Sequence, residues 1–119
     1  MNAEKSVGKY DPRNTLNDPT GKGWLKLTSS FWISEKCSLD KDMLKHPAPF
    51  LVKDIQKLIS LFTKKHMKVL DPFCGSGTTL FAASLLERQS IGYDLNLEYR
   101  VLALQRLQKK LKQIIIAMR

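Results

Sequence analysis

The chain has 119 residues, of which 43% are hydrophobic and 26% charged, a balance that argues against disorder throughout and fits a single globular domain. The 20 Lys and Arg residues against 11 Asp and Glu give a formal net charge of +9. Such a surplus favours a polyanionic partner, with nucleic acid first; a basic surface that serves only solubility is the alternative.

The two cysteines, Cys37 and Cys74, lie far apart, and the chain has neither a CxxC pair nor a histidine cluster. We therefore expect no metal site and no disulfide framework, and we interpret Cys74 as a small filler within a turn. Residues 1–14 lack the apolar segment of a signal peptide, and no apolar run is long enough to span a membrane. These features predict a cytoplasmic protein without a membrane partner.

The first part of the chain is polar and weakly patterned. Residues 1–23 are predicted to form an extended arm with two Asp-Pro turns. Residues 24–33 predict a short helix that runs into an extended Phe-Trp-Ile segment, and residues 34–48 form a polar connection. We divide the chain into an N-terminal arm and connection, residues 1–45, and an α/β portion, residues 46–119.

A regular pattern begins at Pro49, which suits the first turn of a helix because its missing N–H has no intrahelical partner there. The apolar residues that follow share one helical face: Leu51, Val52, Ile55, Leu58, Ile59 and Phe62. After a basic stretch, the run 67–70 predicts a short buried strand.

Helices and strands then alternate. We predict a helix at 78–87, a strand at 90–94, a helix capped by Asn96 and a third strand at 114–117. The apolar face of the last helix is assigned to Leu97, Val101, Leu104, Leu107 and Leu111. This alternation predicts a parallel sheet with right-handed crossovers, whose ligand lies at the carboxyl ends of the strands.

The turn after the first strand is rich in glycine and reads LDPFCGSGTT, residues 70–79. A phosphate-binding loop for nucleoside triphosphates needs a lysine after its last glycine, and none follows here. The dinucleotide fingerprint needs a third glycine where this chain has Leu80. The remaining ligand class contains a nucleoside without phosphates.

The residue types around this turn suggest which groups such a ligand carries. Gly75 and Gly77 permit positive φ and close backbone approach, and the N–H groups that open the next helix suit a carboxylate. Asp71 can accept from an ammonium group, and Asp94, at the end of the next strand, can accept from two ribose hydroxyls. Because the glycine turn and Asp94 both lie at carboxyl ends of parallel strands, we expect them to be neighbours. Further hydrogen bonds can come from the hydroxyls of Ser76, Thr78 and Thr79. Together these groups describe S-adenosylmethionine.

Each of these residues also has a purely structural interpretation. Asp71 can be a turn residue, Thr78 a helix cap and Asp94 a cap at the end of a strand. Only their combination in this order favours a ligand.

Three segments together resemble the amino-group DNA methyltransferases. They are HPAPF at 46–50, VLDPFCGSGTT at 69–79 and IGYDLNLEY at 91–99, and the resemblance extends over roughly residues 10–112. Members of this family methylate N6 of adenine or N4 of cytosine with S-adenosylmethionine as methyl donor. The resemblance implies DNA as partner, a restriction-modification setting, and a partial Rossmann-like methyltransferase fold with an incomplete parallel sheet.

The resemblance also implies roles for individual positions. The cofactor loop would comprise Asp71, Phe73, Gly75, Ser76, Gly77, Thr78 and Thr79. Phe73 would pack beside the cofactor, and Asp94 would bind its ribose. The segment that would close over the methionine end is His46, Pro47, Ala48, Pro49 and Phe50. Phe50 can also serve simply as a packing residue for its own helix.

One family motif does not occur in this sequence. The family holds the target amino group with an Asp, Asn or Ser followed by Pro-Pro and an aromatic residue, and this chain contains no Pro-Pro pair. It also has no stretch long enough for a target-recognition domain. We therefore expect the cofactor-binding portion of a methyltransferase, inactive alone, whose catalytic motif lies on a complementing chain or was lost by truncation.

Two alternatives remain open. The chain can be an inactive remnant that binds cofactor or DNA without methylating, and the missing motif favours this. A methyltransferase for RNA or small molecules is disfavoured because HPAPF and DPFCGSGTT occur together. The sequence does not decide between adenine and cytosine as target.

Overall fold

A computed structural model describes residues 9–45 and 50–117. The elements follow one another as α1 (Gly21–Leu27), a 3-10 helix (Ser38–Lys45), α2 (Val52–Phe62), β1 (Lys68–Asp71), α3 (Thr78–Leu85), β2 (Gln89–Gly92) and α4 (Leu97–Ala117). Within these residues no helix is both long enough and apolar enough to cross a membrane.

The two strands pair in parallel, with Leu70 opposite Ile91 and Asp71 opposite Gly92. Helix α3 is the crossover between them and packs on the sheet, while α2 and α4 each pack against α3. The chain therefore has an α/β architecture with the parallel sheet that the alternation predicted.

The core lies between α2 and α3. Its buried members are Val52, Ile55 and Ile59 from α2, with Phe81, Ala82 and Ala83 from α3, and Val69 packs against this cluster from β1. The predicted apolar face of α2 is confirmed for Val52, Ile55 and Ile59. Leu58 and Phe62, which were predicted on the same face, are exposed, and Leu61 is buried instead. Each fully buried aliphatic side chain of this kind stabilises the fold by about 1.5–3 kcal/mol.

The start of α2 is capped by a residue far away in sequence. The N-cap residue Leu51 offers no side-chain hydrogen bond, and the first N–H of the helix, on Val52, donates to Oδ1 of Asp40 at 2.9 Å. The N–H of Cys37 donates to the other carboxylate oxygen at 2.6 Å. Burial by itself raises the pKa of Asp40, but these donors and the positive charge of Arg106 outweigh it and hold the pKa below its usual value.

The predicted third strand is wrong, because residues 114–117 lie in the last turns of α4. The run of isoleucines favours a strand by propensity, but no Gly or Pro interrupts the chain after Asn96. A helix once nucleated extends at little cost through such a stretch. The sheet formed by the described residues has two strands.

The buried face of α4 also differs from the prediction. Of the predicted residues, Leu107 packs against the core, whereas Leu97, Val101 and Leu104 are exposed. Ala103 and Arg106 are buried instead. The helix packs against a glycine turn, where a small residue permits closer approach than a leucine. The predicted cap is confirmed, since Oδ1 of Asn96 accepts the N–H of Glu98 at 2.9 Å.

The N-terminal arm contacts the end of α2. The side chain of Asn17 is buried, and its Nδ2 donates to the carbonyl of Leu61 at 2.6 Å. Oδ2 of Asp18 accepts the N–H of Lys65 at 2.8 Å. The short helix predicted nearby is confirmed, although it begins earlier, after its N-cap Thr20.

Candidate functional site

The glycine turn joins β1 to α3 and contains two residues with left-handed backbone conformation. Gly75 and Gly77 have φ of 52° and 80°, as the sequence predicted. A Cβ on Gly77 would lie 2.5 Å from Cβ of Ala103. The close approach at Gly77 is therefore made by helix α4.

Asp94 lies just beyond the end of β2 and ties this turn to the second strand. Its Oδ2 accepts the N–H of Gly75 at 2.9 Å, and its Oδ1 accepts the N–H of Asn96 at 2.7 Å. The expectation that the turn and Asp94 are neighbours at the carboxyl ends of the strands is confirmed. Because a carboxylate oxygen has two lone pairs, each oxygen keeps one acceptor position beyond these bonds.

Asp71, at the end of β1, is partly engaged in the turn itself. Its Oδ1 accepts the N–H of Phe73 at 3.1 Å, and its backbone carbonyl accepts the N–H of Tyr93 at 3.0 Å. The structural interpretation of Asp71 as a turn residue therefore holds for one oxygen. The side chain of Phe73 lies at the surface, where it is 87% exposed.

An open cleft of about 470 Å³ lies beside Asp94. Its lining residues are Pro72, Phe73, Gly92, Tyr93, Asp94, Leu95 and Arg100. The volume lies within the range of small-molecule sites, and two exposed aromatic side chains, Phe73 and Tyr93, line the cleft together with Asp94. Aromatic faces suit a planar ring, and a neighbouring carboxylate suits hydroxyl groups attached to that ring system.

Five lining residues were not predicted as site residues from the sequence: Pro72, Gly92, Tyr93, Leu95 and Arg100. Tyr93 and Leu95 flank Asp94 directly, so adjacency to a predicted site residue was the available signal. Arg100 lies one helical turn after the cap Asn96, whose carbonyl accepts its N–H at 3.2 Å.

Two of the three hydroxyl residues at the turn are buried. Ser76 and Thr78 are almost inaccessible, and Nη1 of Arg106 donates to the carbonyl of Ser76 at 2.9 Å and to Oγ1 of Thr78 at 3.0 Å. Thr79, in the first turn of α3, is half-buried. The sequence analysis did not predict a role for Arg106. The available signal was an arginine between Leu104 and Leu107 in an amphipathic helix.

Cys74 is a free thiol on the inner side of the turn. Burial raises its pKa, and the nearby carboxylates of Asp71 and Asp94 raise it further. A thiol in such surroundings stays protonated and is a poor nucleophile, which accords with a filler.

Of the segment predicted to close the site, the structure describes Phe50. Phe50, two residues before the start of α2, is exposed. The other four residues of the segment, His46, Pro47, Ala48 and Pro49, lie outside the described residues. Their predicted contact with a cofactor stays a prediction.

The DNA methylase family (N6_N4_Mtase) matches residues 2–105 of this chain. The chain belongs to this DNA methylase family. Its structural neighbours include DNA methyltransferases, and the two-stranded core described above is part of their Rossmann-like α/β fold.

Curated and solved DNA methylases resemble the chain over much of its length. The type II methyltransferase M2.DpnII of Streptococcus pneumoniae is 41% identical over 100 residues, which are 83% of this chain and 35% of that protein. The structure of the M1.HpyAVI–SAM complex is 44% identical, with a TM-score of 0.51 over 52% of this chain and 31% of that one. The PvuII DNA methyltransferase, named as cytosine-N4-specific, is 26% identical, with a TM-score of 0.52 over 62% of this chain and 28% of that one.

The chain is short compared with these DNA methylases. It spans about a quarter to just over a third of the length of the curated relatives that match most of it.

Proposed function

We propose that this chain binds S-adenosylmethionine as the cofactor portion of a DNA methyltransferase acting on N6 of adenine or N4 of cytosine. The observation that carries the proposal is the meeting of Asp94 and the glycine turn at the carboxyl ends of two parallel strands. Membership of the DNA methylase family supports the reaction class. The M1.HpyAVI–SAM complex supports the cofactor.

The residues present fit the chemical groups of this cofactor. The remaining acceptor positions of Asp94 suit the ribose hydroxyls, and Phe73 and Tyr93 offer aromatic faces to the adenine. Oδ2 of Asp71 suits the ammonium group. For the carboxylate no partner is assigned, because the amino end of α3 is buried against α4 at Gly77 and Thr78.

The cofactor supplies an activated methyl group on its sulfonium when bound. The role of this chain would be to hold that group at a fixed place, because positioning is a major part of catalysis in direct transfer. We assign the closure of the methionine end to His46, Pro47 and Phe50. The target base would be flipped out of the duplex to reach the methyl group.

The groups that receive the target base would come from another segment or polypeptide. The absence of a Pro-Pro pair from the sequence supports this. The surface supports it as well, since Leu70 and Ile91 face away from α3 on paired strands and are 64% and 51% exposed. The net charge of +9 supports DNA as the substrate.

Calorimetric titration of the purified chain with S-adenosylmethionine tests the cofactor site. We expect saturable binding that weakens at least tenfold in Asp94→Ala. The matched control is Asp11→Ala, which removes an exposed aspartate that is paired with Arg13 and should leave the affinity unchanged. A folded chain that does not bind would contradict a self-sufficient site and favour an inactive remnant or a pocket that another segment completes.

Transfer of a labelled methyl group to unmethylated DNA tests the second part of the proposal. We expect no transfer by the chain alone and transfer when a polypeptide with the Pro-Pro-aromatic motif is added. Methylation by the chain alone would show that the additional segment is not required.

A further inference from the structure

A buried arginine lies directly beneath the glycine turn. Arg106 is only 3% exposed, and its guanidinium reaches the turn from helix α4. Nη1 donates to the carbonyl of Ser76 and to the hydroxyl of Thr78, at 2.9 and 3.0 Å. These partners lie on either side of Gly77, so a single nitrogen joins both sides of the junction between the turn and α3.

The surroundings of Arg106 are arranged to hold a charge that is costly to bury. Removing a cation from water is unfavourable unless hydrogen bonds and nearby opposite charge offset the loss. The guanidinium carbon lies 5.3 Å from the ring centre of Phe81. The positive charge of Arg106 also lowers the pKa of the buried carboxylate of Asp40. A leucine at this position would bury the same helix face without the desolvation penalty of a charge. The arginine is therefore explained by the hydrogen bonds that its guanidinium makes to the turn.

Gly77 explains why the turn needs such support. Both glycines have left-handed φ, a conformation that glycine samples freely among many others. Ala103, one turn before Arg106 on α4, touches Gly77 but can only exclude movement towards the helix. The directional bonds of Arg106 hold the turn in the other directions.

We propose that Arg106 is a positioning residue that fixes the shape of the glycine turn and thereby sets the affinity of the site. The planar guanidinium has a fixed donor geometry, which a flexible ammonium does not reproduce. The effect on affinity rests on the proposed binding of S-adenosylmethionine. The effect on the turn is independent of any ligand.

The test compares Arg106→Met with Arg88→Met. Arg88 is also buried and also donates to backbone carbonyls, those of Leu86 and Thr63, but it lies at the far end of α3. Both variants lose a buried cation, so both are expected to lower the melting temperature. Only Arg106→Met should weaken S-adenosylmethionine binding, by at least tenfold at equal folded fraction, with Arg88→Met within twofold of the parent chain.

Hydrogen exchange of the ligand-free protein provides the second measurement. The amides of Gly75 and Gly77, both hydrogen-bonded, should exchange at least tenfold faster in Arg106→Met, relative to amides of α2 in the same sample. They should keep their relative rates in Arg88→Met. Arg106→Lys retains the charge without the planar donor group. Its exchange rates at Gly75 and Gly77 should lie between those of the parent chain and those of Arg106→Met.

The outcomes separate the two proposals. If the parent chain does not bind S-adenosylmethionine, the proposed function fails, and hydrogen exchange alone decides the role of Arg106. If Arg106→Met does not fold, Arg106→Lys is judged by the same comparison with Arg88→Lys. The positioning role would be overturned if a folded Arg106 variant kept the exchange rates and the affinity of the parent chain. It would also be overturned if the Arg88 variant lost as much amide protection and affinity as the Arg106 variant.

Discussion

The carboxylate of Asp94 accepts the N–H of Gly75 at 2.9 Å, across 19 residues of sequence. The same residue was assigned to a ligand from its position after the second strand. Both roles are compatible, because the bond to Gly75 and the bond to Asn96 each use one acceptor position of a different oxygen. Asp94 therefore orders the turn before any ligand arrives, and a preordered site loses less entropy on binding.

Removal of this carboxylate should destabilise the chain even without ligand. Asp94→Ala leaves the N–H of Gly75, within a buried turn, without its acceptor, and such a loss costs about 1–3 kcal/mol. Urea unfolding monitored by circular dichroism measures the free energy of unfolding. Asp11→Ala, at an exposed ion pair, should change it by less than about 0.5 kcal/mol. Equal stability of Asp94→Ala and the parent would show that the bond to Gly75 contributes nothing.

Gly77 should not tolerate a side chain. Gly77→Ala combines a left-handed φ with a Cβ only 2.5 Å from Cβ of Ala103, so we expect a loss of about 2–4 kcal/mol or failure to fold. Gly21→Ala is the matched control, since a Cβ there meets nothing within 4 Å. It should change the unfolding free energy by less than about 1 kcal/mol. Similar unfolding curves for the two variants would contradict the tight approach of α4 to the turn.

Asp40 should make stability depend on acidity. Its pKa is held below the usual value in the folded chain, so its contribution is present above the unfolded pKa of about 3.9. This contribution is lost as the pH falls through the lower folded pKa. Asp40→Asn should therefore be less stable than the parent by about 1–3 kcal/mol at pH 7, with a smaller difference near pH 3. Chemical unfolding at pH 7 and pH 3 measures this difference in unfolding free energy. A difference that stays constant or widens on acidification would contradict a stabilising role of the ionised Asp40.

The elements that the sequence predicted are those whose signals are local. The stripe of α2 and the cap Asn96 with its helix each depend on residues within a few positions of one another. The meeting of the turn with Asp94 could also be predicted, because parallel strands bring their carboxyl ends to one edge.

The missed features depend on contacts between distant segments. Asp40 caps a helix 12 residues further on, and Arg106 holds a turn that lies 28–30 residues earlier. Hydrophobic periodicity placed leucines on the buried face of α4, whereas the close approach to Gly77 requires Ala103 there. Periodicity reports how apolar a helix face is, and it does not report the shape of the surface which that face meets.

The exposed face of the sheet should matter for association and little for folding. Leu70 and Ile91 are paired neighbours that the described helices leave uncovered. The double variant Leu70→Ser and Ile91→Ser should keep the unfolding free energy within about 1 kcal/mol. It should weaken binding to a complementing polypeptide at least tenfold in sedimentation or calorimetry, since apolar contacts at the centre of an interface dominate its affinity. Leu25→Ser, at an exposed leucine of α1, should leave that affinity unchanged. Undiminished association of the double variant would place the contact surface elsewhere on the chain.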